Sequence, residues 1–133
     1  MRKLLIFLAA VTAGATVAGA GQDRWAKAGE EYQALIAGKV PGEPVDCIDT
    51  RFRNASLSAY RDKLIYRVDR NLVYVNQTTG GCENVSRGDA LITQRVQTRA
   101  CRGDIAQTVA LPQNVFSGSC ALGAFTPYRT AAK

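Results

Sequence analysis

Four cysteines, Cys47, Cys82, Cys101 and Cys120, follow what reads as an export leader in a chain that has no histidine. Thiols oxidise outside the cytoplasm, so an even count beyond such a leader predicts two disulfides and no free thiol. Neighbouring cysteines from Cys82 onward are 19 positions apart, which fits neither a C-x-x-C redox motif nor a zinc knuckle. The missing histidine removes the side chain most used for acid–base chemistry near neutral pH and the commonest metal ligand. The sequence therefore predicts no metal and no cofactor.

The leader has the three parts that a signal peptidase substrate needs. Arg2 and Lys3 supply the positive start, Leu4 to Ala13 the apolar stretch, and Ala18-Gly19-Ala20 the small residues at the cut, placed after Ala20. A retained membrane anchor needs about 20 predominantly apolar residues. Here Thr12, Gly14, Thr16 and Gly19 dilute the second half. No cysteine sits at the cut to carry a lipid. The expected location is the periplasm or the exterior, with no transmembrane segment in the mature chain. What remains is one domain with a real but small core, to which two crosslinks add stability.

Beyond the leader stand 15 basic and 11 acidic residues, and the excess is confined to the cysteine-bearing part, where residues 47–133 hold 12 basic and six acidic side chains. A moderate arginine excess attracts an acidic protein or an anionic polymer of the envelope. Nucleic acid is an improbable partner for an exported chain.

Residues 22–38 have helical periodicity. Trp25, Ala28, Tyr32, Leu35 and Ile36 line one face, Gly38 can terminate it, and Pro41 stops continuation. Residues 39–46 read as a Pro/Gly linker. Strand patterns follow at 45–48, 63–68, 72–76, 90–98, 105–111 and 121–125, with Asp69-Arg70-Asn71 as a hairpin connection. The expected fold is α+β and mostly β: an amphipathic helix packed on a small antiparallel sheet, rolled or barrel-like, stapled by two disulfides. The divisions are a leader at 1–20, helix and linker at 21–46, the β body at 47–128, and a flexible tail at 129–133. Four cysteines allow three pairings. Cys47 with Cys120 and Cys82 with Cys101 is the expectation, joining the start of the body to its end and the hairpin exit to a later turn.

Two short motifs recur. Arg-Gly-Asp at 87–89 and 102–104 reads as turn chemistry rather than an adhesion ligand. Three sequons begin at Asn54, Asn76 and Asn84, and a bacterial leader makes them chance matches.

No catalytic constellation emerges, so a catalytic residue is not assigned. Asp46, Asp49, Asp62, Asp69, Asp89 and Asp104 could furnish a carboxylate pair, but no spacing selects one. The serines lack a histidine to activate them. A basic run over the first strands, interleaved with aromatics, supplies the binding candidates Arg51, Arg53, Arg67 and Arg70 with Tyr66 and Tyr74. The bland alternative is that the tyrosines are half-buried strand residues and the arginines face water.

The words Leu35-Ile36-Ala37-Gly38-Lys39-Val40-Pro41-Gly42-Glu43-Pro44-Val45-Asp46-Cys47-Ile48, Leu64-Ile65-Tyr66, Val73-Tyr74-Val75-Asn76, Cys101-Arg102-Gly103-Asp104-Ile105 and Gly118-Ser119-Cys120-Ala121-Leu122-Gly123-Ala124-Phe125 resemble a family of small exported proteobacterial proteins without an assigned function. The resemblance spans most of the mature chain. It implies export and a shared fold, and it carries over no catalytic residue, substrate or cofactor. The sequence thus points to a non-enzymatic exported protein with a basic face for an acidic partner. The alternative is a carboxylate-dependent hydrolase or an inhibitor-like protein.

Overall fold

The amphipathic periodicity becomes α1, Ala20–Ile36, in a computed structural model that describes residues 20–51, 56–94 and 98–132. Residues 1–19, which fall within the expected leader, Arg53 and the sequon asparagine Asn54 lie outside the described residues. In α1, Ala28 is buried and Trp25, Tyr32, Leu35 and Ile36 are half-buried, while Lys27, Glu30 and Glu31 face water. The helix ends where Gly38 takes φ 70, and Lys39 Nζ donates to the carbonyl of Leu35 at 2.7 Å.

Ten strands follow: β1 (Lys39–Pro41), β2 (Cys47–Asp49), β3 (Ser56–Tyr60), β4 (Lys63–Arg67), β5 (Leu72–Gln77), β6 (Ala90–Thr93), β7 (Arg99–Cys101), β8 (Ile105–Ala110), β9 (Val115–Ala121) and β10 (Phe125–Thr130). A short 3-10 helix, Glu83–Arg87, separates β5 from β6. The strands form three antiparallel sheets, ordered β1-β10-β5-β4-β3, β2-β7 and β6-β8-β9, and none closes on itself. The described residues are mostly β, with one α-helix and two disulfides.

Strand alternation sorts the core into two faces. Ile65, Val73 and Val75 point from the five-stranded sheet toward Tyr32, Leu35 and Ile36 of the helix, with Tyr60 and Tyr128 alongside. Leu64, Tyr66 and Phe125 point the other way, onto Ile48, Val85, Ala100, Ala106 and Leu122 of the smaller elements. The five-stranded sheet is therefore a middle layer. The helix covers one face, and the two small sheets with the 3-10 helix cover the other.

Several local expectations are corrected. Residues 39–41 are not linker but an edge strand, β1, paired with β10, and Pro41 is tolerated there because an edge needs fewer ladder donors. Arg129 and Thr130 are not tail but the end of β10, and Thr130 N–H donates to the carbonyl of Asn71 at 3.0 Å. The strand expected at 121–125 is instead the end of β9 at Ala121, a connection over residues 122–124, and the start of β10 at Phe125. β6 covers only the first four residues of the expected 90–98 strand, and 95–97 lie outside the described residues.

The crosslinks are Cys47–Cys101 and Cys82–Cys120, which corrects the expected pairing of Cys47 with Cys120 and Cys82 with Cys101. Register explains the first: β2 and β7 run antiparallel with Cys47 directly opposite Cys101, Cα atoms 4.0 Å apart. Close backbone contact explains the second. A Cβ on Gly81 would sit 2.1 Å from the Ser119 carbonyl oxygen, and one on Gly118 2.0 Å from that of Gly81. Glycine at both positions lets the loop before Cys82 lie against β9, which seats Cys82 beside Cys120.

Candidate functional site

The β4–β5 turn sets two exposed arginines, Arg67 and Arg70, at one end of the five-stranded sheet. Asp69 Oδ1 accepts the N–H groups of Asn71 at 2.6 Å and Leu72 at 2.9 Å, so its carboxylate is spent on closing the turn. Asn71 in turn fixes the end of β10: its carbonyl accepts from Thr130 N–H, and its Oδ1 lies 3.2 Å from Thr130 Oγ1. That tie brings Arg129 to the end of the sheet that carries Arg67 and Arg70; by register Arg67 stands opposite Val73 and Arg129 opposite Leu72, on the two faces of the sheet. Two adjoining hollows share Asp69. One, of about 410 Å³, is lined by Arg67, Val68, Asp69 and Arg70. The other, of about 460 Å³, includes Asn71, Leu72, Arg129 and Thr130. All three arginines are exposed, and none has an ion pair among the described residues.

The other sequence candidates go elsewhere. Arg51 is exposed at the end of β2 but forms a two-pronged pair with Asp49, with Nη2 to Oδ2 at 2.6 Å. Hydrogen bonds from Arg51 hold the Asp49 carboxyl down to about 2, and the same contact pushes the guanidinium up. Tyr66 is a core residue at 8% exposure, its ring edge-on to Phe125 at 5.7 Å. Burial pushes its hydroxyl up to about 12, so Tyr66 presents no ring to a ligand. Tyr74 is half-buried against the same core cluster. Arg129 is hidden from sequence reasoning because residues 129–133 read as tail. The alternation of buried Phe125 and Pro127 with half-buried Thr126 and Tyr128 is the signal that marks β10.

Five of the six aspartates are individually engaged rather than paired with one another. Asp49 binds Arg51, Asp62 binds Lys63, Asp69 closes its turn, and Asp104 accepts the Cys101 N–H at 2.6 Å. Asp46 is exposed. Asp89 is the most buried of the six and anchors a network. Arg87 grips it with two hydrogen bonds of 2.9 Å, Ser117 donates to the same carboxylate, and Ser117 Oγ lies 2.9 Å from the hydroxyl of fully buried Thr108. The bonds from Arg87 and then Ser117 hold Asp89 below the usual carboxylate range. Ser117 is the bulged residue of β9, since Thr108 faces Gly118 and Val109 faces Phe116. The network fastens that bulge to the turn at 87–89.

Both Arg-Gly-Asp tripeptides are turns, with Gly88 and Gly103 at φ 104 and 88. The sequon residue Asn76 is fully buried, exchanging two hydrogen bonds with the backbone of Gly123 at 2.7 and 3.0 Å, so the folded protein cannot be glycosylated there. Among the described residues no group of three His, Cys, Asp or Glu could hold a metal ion, and no helix is long and apolar enough to cross a membrane. No family model, curated protein or solved structure matches the chain.

Proposed function

We propose that this is an exported, disulfide-stapled binding protein whose Arg67–Arg70–Arg129 corner takes an anionic polymer of the cell envelope. Residues 1–20 act as the leader in this reading, and the mature chain works in the periplasm or outside the cell. The resemblance to small exported proteobacterial proteins and the two disulfides support that location. One observation carries the binding reading: three exposed guanidinium groups, without an ion pair among the described residues, lie at the β4–β5 turn and the adjoining end of β10, where the Asp69 carboxylate is committed to backbone N–H groups. Such a corner keeps its positive potential and offers planar forks to phosphate or carboxylate groups.

Retention on immobilised heparin tests it. The wild-type protein should be retained at low salt and released as screening shortens the reach of its charges. The triple variant Arg67→Gln, Arg70→Gln, Arg129→Gln should elute at much lower salt. A second triple variant, Lys27→Gln, Arg61→Gln, Arg102→Gln, makes the same change in net charge at other exposed positions and should elute close to wild type. Equal losses in both variants would reduce the effect to net charge and defeat the proposal.

A further inference from the structure

Seven large apolar side chains are exposed among the described residues, and five of them belong to one element group: Ile92 on β6, Ile105 on β8, and Leu111, Val115 and Phe116 at the β8–β9 hairpin, each between 46% and 61% exposed. Isolated exposed apolar residues are ordinary, but a concentration of this kind marks an interaction surface. Register shows how it is assembled. Ala106 and Thr108 of β8 are fully buried and point inward, so Ile105, Gln107 and Val109 point outward. Ile92 lies opposite Gln107, and the bulge at Ser117 brings Phe116 opposite Val109. Directly opposed residues share a face, which makes Ile92, Ile105, Val109 and Phe116 one continuous outer surface.

The chemistry of that surface selects its occupant. From Ile105 to Tyr128 the chain has no Asp, Glu, Lys or Arg, and none occurs from Ala90 to Gln94. The rest of the chain holds 17 basic against 11 acidic residues. A second copy approaching elsewhere meets like charge, whereas here it meets none. Gln107, at the middle of the face, carries an amide that both donates and accepts, so it can pair with its own counterpart across a two-fold axis. An anionic membrane or an acidic protein would gain from cations among the apolar residues, and the strand segments that carry Ile92, Ile105 and Phe116 hold none. We propose that the outer face of the β6-β8-β9 sheet docks a second copy of this chain, sheet against sheet, through Ile92, Ile105 and Phe116. This inference goes beyond the anion-binding reading and does not rest on it.

Sedimentation equilibrium over a concentration series tests it, with no polyanion present. The weight-average mass should rise with concentration toward twice the monomer value. Added salt should strengthen association, because it screens the like charges while leaving the uncharged contact intact; the same salt weakens heparin retention. Phe116→Asp should weaken association by about tenfold or more. Its side chain is 61% exposed, so folding should survive, as intact disulfides and an unchanged near-UV spectrum would show. If that variant fails to fold, Ile105→Lys, at 58% exposed, reads the same surface. A wild-type protein that stays monomeric at its highest attainable concentration overturns the proposal. So does association that continues past the dimer, or a monomer that instead binds neutral phosphatidylcholine vesicles through Phe116.

Discussion

The two β layers of this molecule are held together by different means. The five-stranded sheet contains no cysteine; its strands are joined by apolar burial on both faces, with Leu64, Ile65, Val73 and Phe125 each at 1% exposure or less. The layer beneath it holds both disulfides, two glycine-mediated backbone contacts and the Arg87–Asp89–Ser117–Thr108 network. It leaves five large apolar residues in water. One layer has the cohesion of a core, and the other, too thin to bury its own surface, is fastened by covalent and polar ties. Small domains with limited cores commonly need such fastening, and here the need is local to one layer.

The largest expected effect lies in the first layer. Phe125→Ala removes a side chain with no exposure that touches both layers, and should cost roughly 3–5 kcal/mol in urea unfolding. A much smaller loss would mean that the core is not centred on that sheet. Next comes the covalent fastening. Chain entropy assigns about 4 kcal/mol to the Cys82–Cys120 crosslink at its separation of 38, before native strain is deducted. Replacing both cysteines by Ala should lower amide-exchange protection across residues 105–121 well before residues 64–76. Simultaneous loss in both segments would erase the distinction between the layers and make them one cooperative unit.

The smallest effect concerns the polar fastening, and its sign follows from Asp89. Its carboxyl titrates lower in the folded protein than the ordinary 3.8, so its contribution is complete above that value and is lost as pH falls through the folded one. Asp89→Asn should therefore melt below wild type at neutral pH, and the gap should shrink below about pH 4. A gap that persists unchanged into stronger acid would show that ionised Asp89 does not secure the bulge.

What could be seen in the sequence was what local pattern determines. The α1 face and the β4–β5 hairpin were legible because their apolar residues recur at 3.6 and 2 positions, and Arg67 and Arg70 came with the hairpin. β3 and β9 were not, because Ser56, Ser58, Ser117, Gly118 and Ser119 resemble loop composition; they are strands because partners and close backbone contact make them so. The disulfide partners were illegible for a related reason. Cys47 meets Cys101 through a strand pairing between segments 54 residues apart, which no spacing rule encodes. Arg129 was lost with the supposed tail, although its neighbours alternate between buried and half-buried as a strand does.

The position of β10 has a consequence for how this protein is made. It lies between β1 and β5, inside the five-stranded sheet rather than at its rim, and β1 has no other partner among the described strands. A polypeptide that emerges amino end first, from a ribosome or a translocation channel, therefore offers an open flank on β5 and a stranded β1 until residues 125–130 arrive. The keystone is delivered last, and up to that moment the chain stays loose enough to be threaded.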